Sequence, residues 1–215
     1  MARIVQRPLE GERLGYQIVL PEGYQEERGR RWPLILFLHG INRRGEDLSL
    51  LDHYGLLGVS ASNDSFNYIV LAPQCPKSSN WVIESDAVIA LIDHVTRDFR
   101  VCTNQVYLTG FSMGGNGVWH LAAHYQQHFA AAAPLAGWYR IEEVDRLKDM
   151  PLWAFHGQED DVVPVQNTQN LADALASIGG NIKLTCYDNQ NHDIMNKVYS
   201  NSALYEWFKQ YERRS

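Results

Sequence analysis

The chain has 215 residues, 45% of them apolar and 20% charged, with a formal net charge of −6. That is enough apolar material to fill one large core, and the acidic balance leaves no basic stripe to track phosphates or anionic lipid. One domain over residues 1–215 is therefore expected, with neither nucleic acid nor a membrane as partner. Met1 to Pro8 carries charges but lacks the apolar run of a secretory leader, and no later stretch reaches membrane-spanning length. Cys75, Cys102 and Cys186 are odd in number, far apart and without metal-ligand spacing. They read as reduced, buried thiols, and the expected setting is the cytoplasm.

In chain order, Leu14 to Leu20 alternates and ends at Pro21-Glu22-Gly23, which predicts an antiparallel, partly exposed strand. Apolar runs of strand length follow at Leu34 to Leu38, Tyr68 to Leu71, Val106 to Thr109, Ala130 to Ala133, Leu152 to Phe155 and Ile182 to Tyr187. The middle four are nearly continuous, as strands covered on both faces should be, and so predict a parallel sheet. Helical patterns lie between the strands at Ser85 to Phe99, Met113 to Phe129, Val165 to Ile178 and Ser202 to Tyr211. Pro164 opens the third of these and Gly179-Gly180 closes it. Alternating strands and helices predict an α/β fold with a doubly wound, mostly parallel sheet and helices on both faces. About fifteen residues link Leu135 to Leu152, room for an ordinary connection and one short helix but for no large cap domain.

Chemistry concentrates at Gly110-Phe111-Ser112-Met113-Gly114, between a predicted strand and a predicted helix. Glycines two before and two after the serine permit a sharp strand-to-helix turn that lifts a hydroxyl above the sheet edge, with the helix amino terminus behind it. Ser112 is thus a candidate nucleophile. A hydroxyl needs a base, and His192 lies in the polar loop Asn189-Gln190-Asn191-His192-Asp193 after the last predicted strand. The base needs an orienting carboxylate, and Glu159, Asp160 and Asp161 follow the preceding strand; spacing does not separate Asp160 from Asp161. Backbone N–H groups of Met113 and of Ile41, which follows His39-Gly40 at the end of an earlier strand, are candidate oxyanion donors. Trp81, Trp138 and Tyr139 come from loops at the same sheet edge and are candidates to line a substrate pocket.

His120, His124 and His128 recur every four residues on one predicted helix. They fall opposite the apolar stripe Val118, Leu121, Ala122, Tyr125 and Phe129, so they are expected to face solvent, and no acidic ligand completes a zinc motif. Neither metal nor cofactor is expected. His39 and His156 precede glycines at strand ends and read as structural.

These motifs together resemble the α/β-hydrolase superfamily, and within it the phospholipase/carboxylesterase-like, dienelactone hydrolase-related serine esterases. The resemblance runs through Pro21-Glu22-Gly23-Tyr24, Pro33 to Gly40, Ala72-Pro73-Gln74-Cys75-Pro76, Gly110 to Gly115, His156-Gly157 with Asp160, and Val163-Pro164. It implies an α/β-hydrolase fold and a triad acid four places after His156, which is Asp160. It also implies a serine carboxylesterase, with thioester or peptide hydrolysis, or a non-catalytic binding module, as the alternatives; the short link from Leu135 to Leu152, which leaves no room for a cap, points to short acyl or compact aromatic esters. Two segments depart from the pattern: Ile41-Asn42-Arg43-Arg44-Gly45 is bulkier and more basic than usual, and Asn191-His192-Asp193-Ile194-Met195 lacks the usual glycine and tryptophan about the histidine. Dienelactone hydrolases proper use a cysteine where this chain has Ser112, which argues against that specific activity.

Overall fold

The computed structural model describes residues 14–213 and the backbone of 3–7. Of the amino-terminal stretch expected to carry no leader, Met1, Ala2 and Pro8 lie outside the described residues. Among the described residues, eight strands form one sheet: β1 (Arg3–Arg7), β2 (Tyr16–Leu20), β3 (Trp32–Leu38), β4 (Ile69–Pro73), β5 (Val101–Phe111), β6 (Ala131–Leu135), β7 (Leu152–Gly157) and β8 (Ile182–Tyr187). Their order is β1-β2-β4-β3-β5-β6-β7-β8, with β3 to β8 parallel and β1 and β2 antiparallel to their neighbours. The helices are α1 (Leu56–Ala61), α2 (Ser85–Asp98), α3 (Met113–His124), α4 (Gln166–Ser177), α5 (Met195–Tyr199) and α6 (Ser202–Phe208).

Each central strand sends alternate side chains into two cores, because successive Cβ atoms point to opposite faces. On β3, Leu34, Leu36 and Leu38 join the core covered by α2, α3 and α4, while Ile35 and Phe37 join the one covered by α1, α5 and α6. That two-sided burial is why the central runs are continuously apolar. From β3 the chain crosses to β4 on one side and then to β5 on the other. In open α/β sheets such a reversal leaves a crevice at the carboxyl ends of the strands. Ile41 follows β3 and Ser112 follows β5, so the topology brings both to that crevice.

Three expectations need correction. The strand read from Leu14 to Leu20 is antiparallel but not partly exposed: β1 pairs along its outer side, and all five residues of β2 are buried. The helix read as Met113 to Phe129 stops at His124, where Tyr125 leaves helical geometry and Gln126–His128 forms a separate 3₁₀ turn. The last helix ends at Phe208 rather than at Tyr211. Between β6 and β7 the chain holds only the 3₁₀ segment Ile141–Leu147, and no large cap is present. Among the described residues, no helix is long and apolar enough to cross a membrane.

Candidate active site

Ser112 caps α3 at φ 58° and ψ −116°, a backbone conformation that side-chain-bearing residues rarely adopt. The strain persists because the surroundings allow no other path. The Ser112 N–H donates to the Leu135 carbonyl on β6, and a Cβ on Gly114 would sit 1.9 Å from the Leu38 carbonyl oxygen. The first turn of α3 is thus pressed against the end of β3, and only glycine permits the approach. The Ser112 side chain stands at the mouth of this elbow.

The loops after β7 and β8 meet it there. Glu159 N–H bonds the Gln190 carbonyl and Gln158 N–H bonds the Tyr187 carbonyl, so the two loops are stitched through their backbones. His192 Nε2 lies 2.8 Å from Ser112 Oγ and its Nδ1 lies 2.7 Å from Asp160 Oδ2. The Asp160 carboxylate is fully buried. Its Oδ1 accepts the N–H groups of Val162 at 2.9 Å and Val163 at 2.8 Å. Burial pushes the Asp160 pKa up, but the bonds from His192 and from the Val163 and Val162 N–H groups outweigh it and hold the pKa below the usual carboxylate value. An ionised Asp160 can only accept, so the His192 Nδ1 donates to it and Nε2 faces Ser112. Asp161, the alternative left open by spacing, is exposed and is not the carboxylate His192 meets.

Across the crevice, His39 holds the loop after β3. Its Nε2 accepts the Cys75 N–H at 3.0 Å, so Nδ1 carries the proton and donates to the Gly40 carbonyl at 2.7 Å. Burial, opposed by the Gly40 bond and reinforced by Arg43 and Arg44, pulls its pKa from 6.5 down to about 4. The unfolded chain binds this proton and the folded chain refuses it, so stability should fall as pH drops from about 6.5 to about 4 and be unaffected by this group above that window. His156, also lowered by burial, adds to the same slope. Thermal unfolding followed from pH 7.5 to pH 4 checks this, and a His39→Gln variant should lose part of the slope; an unchanged slope in that variant would contradict the assignment.

Ile41 begins the 3₁₀ turn Ile41–Arg43 and Met113 begins α3, the positions whose N–H groups a helix leaves without internal partners. Both residues line, with Ser112, a cleft of about 830 Å³. Its walls carry Ile41, Val82, Ile83, Trp138 and Val162, apolar side chains that are nevertheless exposed. Arg44, Asn116 and Asn167 supply polar groups. Trp138 is held in place because Asn116 Nδ2 donates to its carbonyl at 2.8 Å and Gly137 packs against Gly115 too closely for any Cβ.

The other two aromatic candidates are not in the cleft wall. Trp81 is fully buried; its Nε1 donates to the His39 carbonyl at 2.8 Å and its side chain fills the space beside Gly117, so it supports the loop bearing Ile41 from below. The Tyr139 hydroxyl turns away to Glu143 Oε2 at 2.5 Å and to His124 Nε2 at 3.2 Å. That contact also corrects the placement of the helix histidines. His120 and His124 are half-buried beneath the 3₁₀ segment, their rings 4.5 Å apart, with His124 Nε2 2.9 Å from Glu143 Oε2. An acidic partner therefore exists, supplied by a distant segment that periodicity on one helix does not reveal. Among the described residues, no group of three or more His, Cys, Asp or Glu is placed to hold a metal ion.

Comparison with known proteins agrees with this architecture. Residues 12–211 match the Dienelactone hydrolase family. The chain is 27% identical over 180 residues to a bifunctional acetylxylan esterase/xylanase of Neocallimastix patriciarum, covering 81% of this chain and 26% of that protein. It therefore spans about a quarter of the length of that relative. A thermostable esterase structure superposes with a TM-score of 0.84 and 31% identity, over 99% of this chain and 63% of that one. A ferulic acid esterase structure superposes with a TM-score of 0.77 over 97% of this chain and 96% of that one, and at 16% identity it bears on the fold alone. With a match that reaches from before β2 to beyond α6, this chain belongs to the dienelactone hydrolase family of the α/β-hydrolase superfamily.

Proposed function

We propose that this chain is a serine carboxylesterase in which Ser112 is the nucleophile, His192 the base and Asp160 the orienting acid. The observation that carries the reading is the continuous run of short contacts from Ser112 Oγ through both His192 nitrogens to Asp160, opening on an apolar cleft. Ser112 Oγ attacks the ester carbonyl while His192 Nε2 takes its proton. The Met113 and Ile41 N–H groups stabilise the oxyanion. Collapse expels the alcohol, protonated by His192, and leaves an acyl-Ser112. Water then attacks with its proton passing to His192, and a second collapse releases the acid and restores the serine. Reaction with a fluorophosphonate probe tests the class: covalent labelling at Ser112 is expected, and an unlabelled protein would turn the reading towards a binding module.

Short acyl and compact aromatic esters are the substrates this cleft suits, and one sequence relative is named a bifunctional acetylxylan esterase/xylanase. Cytoplasmic residence, supported by three cysteines that form no disulfide, is part of the same proposal. Without a cap, the cleft buries only the first carbons of an acyl chain. Each buried methylene contributes about 0.8 kcal/mol, or roughly fourfold in kcat/KM, so the rate constant should rise over the first few carbons and then level off. Measuring kcat/KM from two to twelve acyl carbons checks this. A steady rise to twelve, or a rate jump at the micellar threshold, would contradict it.

A further inference from the structure

The buried carboxylate at Asp160 has a second histidine on it that the triad does not use. His156 Nε2 lies 3.0 Å from Asp160 Oδ2, the same oxygen that meets His192, and 2.9 Å from the Val163 carbonyl oxygen. Both neighbours are acceptors, so Nε2 carries a proton shared between them. Nδ1 lies 2.8 Å from Thr168 Oγ1 on α4, and the Thr168 hydroxyl is 3.3 Å from the Gly137 carbonyl. The Thr168 hydroxyl reaches both Nδ1 and the Gly137 carbonyl, and because burial opposes a charge on His156, the imidazole is neutral and Nδ1 accepts from Thr168.

An ionised carboxylate offers about four lone-pair sites, and leaving any of them empty in a dry interior is costly. Three are filled by His192, Val162 and Val163, and His156 fills the fourth. We propose that His156 is a positioning residue: it fixes the Asp160 carboxylate from behind, and Thr168 on α4 fixes His156 in turn. Asp160 sits in a loop with no regular structure of its own, whereas His156 is on β7 and Thr168 on α4, so the chain Thr168–His156–Asp160 ties the loop to two rigid elements. Neutrality is integral to the arrangement. A cation at His156 would compete with His192 for the same oxygen and weaken the hold on the base, and burial opposes that cation.

The proposal rests on the triad reading, and the experiment separates the two. With a short aryl ester, His156→Leu should lower kcat by about 10- to 100-fold, because a misplacement of about 1 Å in a catalytic group costs roughly that much, while KM stays within about twofold. His156→Gln, whose amide nitrogen reaches the Nε2 position, should restore kcat to within about threefold of the wild type. Thr168→Val keeps the shape but removes the hydroxyl, and should lower kcat by several-fold; its melting temperature should fall too, since His156 Nδ1 loses its partner, but a chain still folded at the assay temperature covers a His156→Leu chain that fails to fold. A wild-type protein that neither turns over the ester nor takes the fluorophosphonate overturns the triad reading and this proposal with it. If the wild type is active but both His156→Leu and Thr168→Val keep full kcat, or raise KM alone, only the positioning role of His156 is overturned.

Discussion

Ser112→Ala and His192→Ala are each expected to lower kcat by roughly 10⁴- to 10⁶-fold, and the double variant by no more than the worse single one. The non-additivity follows from the geometry. Ser112 Oγ and His192 Nε2 share one hydrogen bond at 2.8 Å, and a base with no hydroxyl to deprotonate is as idle as a hydroxyl with no base. Activity above the uncatalysed rate should persist in both, since the Met113 and Ile41 N–H groups and the cleft are untouched. Folding should survive. Ser112 is held by its backbone N–H to Leu135, which alanine retains, and His192 is only partly buried. Turnover of a short aryl ester with matched melting curves checks the prediction; a variant within about tenfold of the wild type would remove that residue from the mechanism.

Much of this site was legible because the elements that carry it have strong local signatures. Gly110 and Gly114 mark the elbow since no other residue fits against the Leu38 carbonyl, and that constraint is visible as a spacing of glycines about one serine. The central strands were legible because both faces are buried, which makes apolar runs continuous. β2 reads as partly exposed because Gln17 breaks its apolar run, yet Gln17 is buried, with its Nε2 bonded to the Leu48 carbonyl and to Asp52 Oδ1, contacts that no local pattern encodes. The short helices α1 and α5 were missed for a different reason: six and five residues give too few turns for a periodicity to register.

Trp81, Tyr139, His124 and His156 show what a sequence leaves out. Each sits where the sequence put it along the chain, but its role depends on which way the side chain turns. Trp81 points down to the His39 carbonyl and Tyr139 sideways to Glu143, so neither reaches the cleft that their loops border. His156 precedes a glycine at a strand end, as a structural histidine would, yet it meets the buried Asp160 carboxylate four places further along the chain. These are tertiary contacts of single side chains, and neither propensity nor pattern encodes them.

Asp160→Asn should cost roughly 10⁴-fold in kcat, whereas Asp161→Asn should leave it within about twofold. An asparagine at 160 can keep its oxygen towards the Val162 and Val163 N–H groups, so the loop retains its shape. Its amide nitrogen then faces His192 Nδ1, where a donor replaces an acceptor. The imidazole must shift its proton to Nε2 to accept that bond, and Nε2–H cannot take a proton from Ser112. The same amide also confronts the His156 Nε2–H, two donors across 3.0 Å, which adds strain behind the triad. Position 161 carries no such consequence: its side chain is exposed and lies outside the bonds that orient His192. Steady-state kcat for the two isosteric variants, with Tm to register any loss of fold, decides between neighbouring carboxylates that differ by one place in the chain. The reverse ranking would move the orienting role to Asp161 and require a different path for the loop after β7.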